Sequence, residues 1–222
     1  MKQNSKILIV TNRNSWLVKY LKKIKKIKKI KKIKFKVLHD HTKIKKKIDI
    51  IFYLSYSRIV KKKYLLNSNF NMVVHASDLP RGRGFSPYTW EILKKKKKIT
   101  LSLFKINPSL SIVDSGDIYK KILFKVSDTD LIEDIRKKIV INTFDLINSF
   151  LNNKNKKFFK QKGMPSYYRK RTPLDSKINL NKKFKDLIPL FKVVDNKRYP
   201  AHFFYKKCKF ILKIYKDKNY RY

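Results

Sequence analysis

The stretch His75-Ala-Ser-Asp-Leu-Pro-Arg-Gly-Arg-Gly-Phe-Ser-Pro87 follows the apolar run Met72-Val-Val74 and ends in a turn-rich loop. The run reads as a buried strand, so His75 stands at a strand end. The loop then turns through Pro80, Gly82 and Gly84, with Arg81 and Arg83 set between them. Downstream, Val113-Asp-Ser-Gly-Asp117 places two carboxylates around a Ser-Gly turn. A histidine at a strand end and a carboxylate on a nearby turn form a proton-transfer pair in many unrelated enzymes.

Outward from this stretch, strands alternate with helices. Ile7-Leu-Ile-Val10, Phe35-Lys-Val-Leu38 and Asp49-Ile-Ile-Phe-Tyr-Leu54 read as buried parallel strands that precede the one carrying His75. Asn12 or Asn14 can cap a helix that buries Trp16, Leu17, Tyr20 and Leu21. The run from Lys22 to Ile33 repeats isoleucine every third residue. It reads as a low-complexity helix with one apolar stripe on the sheet, rather than as a membrane-surface segment. His39-Asp-His41 has no third partner nearby for a metal and reads as a polar loop. Ser55-Tyr-Ser-Arg58 ends the third strand on the edge where open α/β sheets hold ligands.

Beyond the loop, a helix is expected from Thr89 to Leu93, a strand from Ile99 to Phe104, and a turn at 113–117 leading into a strand through Lys125. A long helix is expected from Thr129 to Phe150, with Leu131, Ile135, Ile139, Phe144 and Ile147 spaced for burial. The polar break from Asn152 to Lys157 puts the end of the main domain near residue 151. The extension 152–222 should hold an arginine–tyrosine cluster, Ser166-Tyr-Tyr-Arg-Lys-Arg-Thr-Pro-Leu-Asp-Ser176, a helix from about Leu180 to Val194, and a β-hairpin over Tyr199–Ile214. The expected fold is therefore α/β: a Rossmann-like, mostly parallel open sheet with helices on both faces, plus a C-terminal helix and hairpin. That hairpin is also a candidate surface for a homodimer.

The net charge of +43 suggests a nucleic-acid partner. However, only nine of the 58 basic residues are arginine, alanine occurs twice, and Lys, Ile, Asn, Phe and Tyr all abound. Base bias in the coding DNA accounts for that whole set. A reader of nucleic acid would also draw on arginine for bidentate contacts. The 222 residues contain no run of 18 uncharged apolar residues and no signal-peptide pattern, so no membrane insertion is expected and a cytoplasmic protein is. The single cysteine, Cys208, excludes an intramolecular disulfide and a cysteine-based zinc site. Gly82-Arg-Gly84 is not a dinucleotide fingerprint, and no Walker, G-x-S-x-G or H-E-x-x-H motif occurs in the right context.

Taken together, the stretch from His75 to Pro87 and Val113-Asp-Ser-Gly-Asp-Ile resemble the folate-dependent formyltransferase family. That family includes methionyl-tRNA, glycinamide ribonucleotide and sugar-nucleotide formyltransferases. Its pattern is Asn-x-His, Ser-Leu-Leu-Pro, an arginine–glycine turn and then Asp-x-Gly-Asp. The likeness covers residues 50 to 125 well. The tail Tyr168-Arg-Lys-Arg-Thr-Pro-Leu-Asp-Ser176 is similar to the segment after the catalytic core in the sugar enzymes.

The resemblance implies transfer of a formyl group from 10-formyltetrahydrofolate, as co-substrate and without a metal, to a primary amine. His75 matches the family histidine, and Asp114 matches the carboxylate that orients it. The positions implied for the folate are Ser55, Tyr56, Ser77, Arg83, Gly116 and Asp117. Those implied for the acceptor are Arg81, Tyr168, Arg169 and Arg171. The expected acceptor is a nucleotide-linked amino sugar of surface-glycan synthesis; a methionyl-tRNA, or a fold retained for binding with weakened catalysis, are the alternatives. One departure stands out: the family asparagine falls on Val73, which has no donor for an oxyanion. Asn71 lies two residues further back, and Ser77, Ser55 or a water are the candidates to replace it.

Overall fold

A computed structural model describes residues 6–24, 33–109 and 112–217. The elements in chain order are β1 (Ile7–Val10), α1 (Val18–Ile24), β2 (Lys36–Leu38), β3 (Ile48–Leu54), α2 (Lys62–Leu65), β4 (Ser68–His75), β5 (Arg83–Gly84), α3 (Pro87–Leu93), β6 (Lys98–Lys105), β7 (Ile118–Lys125), α4 (Ile132–Asn152), β8 (Tyr167–Tyr168), α5 (Phe184–Val193), β9 (Ala201–Tyr205) and β10 (Cys208–Leu212). From residue 25 to 32, the lysine–isoleucine run lies outside the described residues.

Six strands form one open sheet in the order β2-β1-β3-β4-β6-β7. The first four run parallel; β6 lies antiparallel to both β4 and β7. The strand order reverses at β1, so the loops after β1 and β3 meet at the carboxyl edge, where open α/β sheets bind ligands. There the Asn12 side-chain amide donates to Ser55 O and to Ser57 Oγ.

Alternation along the strands divides the core. Ile9, Ile50, Phe52, Leu54 and Met72 face one side, where α1, α3 and α4 bring Leu21, Ile92, Ile135, Phe144 and Phe150. Leu8, Val10, Ile51 and Tyr53 face the other, covered more thinly by Ile44 and by Leu65 of α2. Both faces are buried, which is why these strands read as continuous apolar runs instead of alternating ones.

The extension is a smaller unit. Leu187 and Phe191 of α5 pack with Ile178, Val194 and Ala201. It is tied to the main body by Arg136 of α4, whose guanidinium donates to Asp195 at 2.7 Å. The hairpin β9–β10 leaves Tyr205, Phe210 and Ile211 exposed, and Tyr215 just beyond it is exposed too. No described helix is long and apolar enough to cross a membrane.

Candidate active site

His75 is the last residue of β4 and is 8% exposed. Its Nε2 lies 2.8 Å from the Gly82 carbonyl oxygen. A carbonyl only accepts, so Nε2 carries the proton and donates. In the neutral ring Nδ1 then holds a lone pair, and that nitrogen faces Asp114 Oδ2 at 3.7 Å. Two acceptors thus look at each other across a gap too wide for a direct bond. A proton that arrives on Nδ1 is stabilised at once by the carboxylate opposite. The two groups predicted from the sequence are brought together.

The loop between them is shaped by backbone. Gly82 and Gly84 have φ of +74° and +92°, conformations open to glycine at no steric cost. At Gly84 a Cβ would stand 2.5 Å from the Tyr168 carbonyl oxygen. This close approach lets Gly84 N donate to Asp114 Oδ2 at 2.9 Å. Asp114 is itself at φ +55°. At Gly116 a Cβ would fall 1.8 Å from the Lys105 carbonyl oxygen, so the turn lies directly on β6.

The loop's partner comes from the extension. β5 pairs in parallel with β8, with Arg83 opposite Tyr167 and Gly84 opposite Tyr168. Arg83 N donates to Ser166 O, Phe85 N to Tyr168 O, and Gly82 N to Ser166 Oγ. The expected boundary near residue 151 separates the chain in sequence, but residues 159–168 form part of the wall of the site.

The remaining predicted residues divide into two groups. Arg83 is buried, donating to Gln161 Oε1 at 2.7 Å and to Tyr167 Oη at 3.2 Å, so its charge stabilises the loop. Arg171 is buried too and donates to Val193 O, Asp175 O and Ser176 Oγ; burial holds its guanidinium below the ordinary value. Tyr56 Oη lies 2.6 Å from His41 Nδ1, so its hydroxyl is committed to that ring. His41 is buried rather than in an open polar loop, and burial holds its ring below the ordinary value. Ser77 is fully enclosed, and its Oγ has no hydrogen-bond partner among the described residues.

Ser55, Arg81 and Asp117 remain accessible. Ser55 follows the last residue of β3, Leu54, which pairs with Val74 just before His75, and turns away at φ +50°. Arg81 has one long contact, 3.5 Å, to Asp78. Tyr168 stacks on Trp90 at 6.2 Å, with Lys94 over the Tyr168 ring and Arg169 over the Trp90 ring. Arg169 also forms a two-pronged ion pair with Asp175, and that guanidinium holds the carboxyl at about 2.

Asn71 is committed elsewhere: its amide donates to Leu65 O at 2.8 Å and accepts from Tyr53 Oη. Val73 packs between the second-face cluster and the small cluster of Leu79, Phe104 and Ile118. Valine itself offers no hydrogen-bond donor there. Sequence reading missed Gln161, Ser166 and Tyr167. The signal available was indirect: two glycines flanking an arginine leave backbone donors that need acceptors from elsewhere.

A nearly buried histidine–carboxylate pair thus stands at the carboxyl edge of a mostly parallel, Rossmann-like sheet, an arrangement able to accept and hold a proton. No family model matches the chain. The methionyl-tRNA formyltransferase of Finegoldia magna is 30% identical over 115 residues, which are 51% of this chain and 36% of that protein. The bifunctional polymyxin resistance protein ArnA of Wigglesworthia glossinidia brevipalpis is 28% identical over 181 residues, which are 78% of this chain and 27% of that protein. The matches thus span about a third or less of these relatives' own length. Among solved structures, methionyl-tRNA formyltransferase from Clostridium thermocellum superposes with a TM-score of 0.76 at 24% identity, covering 97% of this chain and 95% of that one. A 4-N formyltransferase from Francisella tularensis gives 0.67 at 18% identity, covering 96% and 98%. The resemblance to the folate-dependent formyltransferases therefore holds in sequence and in fold.

Proposed function

We propose that this chain is an N-formyltransferase that moves a formyl group from 10-formyltetrahydrofolate to the primary amine of a nucleotide-linked amino sugar. The observation that carries the reading is the His75–Asp114 pair, with the Nδ1 lone pair aimed into the gap before the carboxylate. The amine nitrogen attacks the formyl carbon, and the C–N bond forms as the amine loses a proton. Nδ1 takes that proton, and the charged ring rests against Asp114. The bond from the formyl carbon to the folate nitrogen then breaks, and the proton passes to that nitrogen. The products are the formamide and tetrahydrofolate. One group serves as base and then acid, which suits an imidazole at neutral pH.

Two neighbours support the ligand classes. An N-formyltransferase from Helicobacter canadensis, solved in complex with folinic acid and dTDP-3-aminofucose, superposes with a TM-score of 0.62 at 20% identity. The match to ArnA runs through 78% of this chain, beyond what the core motifs alone span. In this reading Ser55 and Asp117 flank the folate. Tyr168 and Arg169, beside Gly82 and Trp90, face the acceptor, while Arg83 and Arg171 act by holding the loop and the tail. The second reading, formylation of methionyl-tRNA, is favoured by the TM-score of 0.76. Incubating the protein with 10-formyltetrahydrofolate and either nucleotide-linked amino sugars or methionyl-tRNA separates the two. Formylation of the sugar and not of the tRNA supports the first reading; the opposite pattern overturns it.

A further inference from the structure

Gln161 lies between α4 and β8, in a segment that bridges to the start of β7 through Ile118 and Phe159, each donating to the other's carbonyl. Its Nε2 donates to the carbonyl of Asp114 at 2.8 Å and to that of Gly116 at 2.9 Å. Its Oε1 accepts from Arg83 Nη2 at 2.7 Å. Two carbonyls demand donors and a guanidinium demands an acceptor, so one amide orientation satisfies all three.

These bonds fall where the backbone resists its shape. Asp114 occupies the left-handed region at φ +55°, a conformation unfavourable for a residue with a Cβ. Such a conformation persists only where its surroundings over-determine it. Here Gln161 holds the Asp114 carbonyl, Gly84 N holds its carboxylate, and Lys105 N holds the Asp117 carbonyl at 2.8 Å. Of these three anchors only Gln161 is a side chain; Gly84 N joins the opposite loop to the carboxylate directly, and Gln161 joins the same loop to the backbone of the turn through Arg83. It therefore clamps the loop bearing Gly82, the acceptor for His75 Nε2, to the turn bearing Asp114.

We propose that Gln161 is the positioning residue that sets the distance between His75 Nδ1 and Asp114, and thereby the site's capacity to hold a proton. The inference rests on the formyl-transfer reading. It makes residues 159–168 a functional part of the site rather than an appendage.

The test compares wild type with Gln161→Leu and Gln161→Glu in full-length protein, measuring kcat, KM and the pH dependence of kcat alongside thermal unfolding. Leucine removes the donors and the acceptor. Its expected effect is a fall in kcat of about 100-fold, the scale of a misplacement near 1 Å, with both KM values little changed and the acid limb of the pH profile displaced. Glutamate keeps the acceptor for Arg83 and regains a donor once protonated, so its kcat relative to wild type should rise as pH falls. Should the leucine variant not fold, the glutamate variant carries the test. A wild-type kcat and pH profile in the variant tested overturns the proposal. So does a loss of kcat with the profile unmoved, which marks a merely structural role. Absence of turnover in folded wild type overturns the formyl-transfer reading instead, so the two failures are distinguishable.

Discussion

His75 Nδ1 stands 3.7 Å from Asp114 Oδ2, while His75 Nε2 is held by the Gly82 carbonyl at 2.8 Å. The ring is fixed at one nitrogen and free at the other. Oδ2 of Asp114 both accepts from Gly84 N and faces Nδ1, so an Asn that keeps its amide oxygen there retains the Gly84 bond but leaves a neutral acceptor opposite the ring. The negative charge that would stabilise a proton arriving on Nδ1 is then gone. The expected result is a fall in kcat of about 100- to 10,000-fold, with thermal stability close to wild type. Steady-state kinetics and a melting curve on the same preparation check it.

Gly84 permits the close pass of β5 and β8 that delivers its N–H to Asp114. Gly84→Ala introduces a Cβ 2.5 Å from the Tyr168 carbonyl at a φ of +92°. We expect a loss of stability of about 1–3 kcal/mol, a fall in Tm of several degrees and reduced turnover. Gly116→Ala should be worse, because its Cβ would sit 1.8 Å from the Lys105 carbonyl in the central sheet. Equal melting temperatures for the three proteins would contradict this account of the loop.

Under the formyl-transfer reading, Val73 stands where the resemblance expects an asparagine donor for the oxyanion. Ser77, one sequence candidate to replace it, is fully enclosed, and Asn71 is bonded to Leu65 and Tyr53. Val73→Asn is therefore expected to raise kcat/KM by about 100-fold, the low end of what one such donor contributes. It should do so at some cost in stability, since Val73 packs against both apolar clusters. An unchanged rate would mean that a group already in the site, or the substrate itself, supplies the donor.

Asp175 links pH to stability. Its carboxyl is held at about 2, chiefly by the Arg169 guanidinium, and it also accepts from Thr172 N at the start of a short 3₁₀ turn over Pro173–Ser176. The folded value lies below the ordinary 3.8, so the contribution is present in full above that value and is lost as pH falls through about 2. Asp175→Ala should cost about 1 kcal/mol at neutral pH, from the lost cap. Its deficit against wild type should shrink as denaturation curves are taken to more acidic pH. A deficit independent of pH would deny the ion pair its role.

The net charge of +43 predicts affinity for any polyanion. Under the amino-sugar reading that affinity is bulk electrostatics. Binding of tRNA should weaken by roughly 1,000-fold or more between about 50 and about 200 mM salt, with initiator and elongator tRNAs alike. A salt-resistant preference for initiator tRNA in filter binding would favour the alternative acceptor.

The sheet was legible because its strands are buried on both faces. Ile7–Val10, Ile48–Leu54 and Met72–Val74 are apolar runs that no surface helix would carry. The hairpin and α5 were legible from alternation and from helical spacing. His75 and Asp114 could be found because a motif orders them. Gln161 could not, because one glutamine among lysines shows no periodicity, and its value lies in three bonds to distant backbone and Arg83. The fates of Arg83 and Arg171 were hidden for a related reason: a charged side chain reads the same whether it awaits a ligand or is already paired inside. The two-residue pairing of β5 with β8 is too short to register as an apolar pattern, yet it closes the wall of the site.

The most direct measurement is the initial rate of tetrahydrofolate release from 10-formyltetrahydrofolate, with and without a nucleotide-linked amino sugar, for wild type and His75→Ala. The account predicts release that requires the amine, yields one formamide per tetrahydrofolate, and falls by about 100-fold or more in the variant. Folded wild type that releases no tetrahydrofolate with any primary amine, or a His75→Ala protein that turns over as fast as wild type, would contradict it.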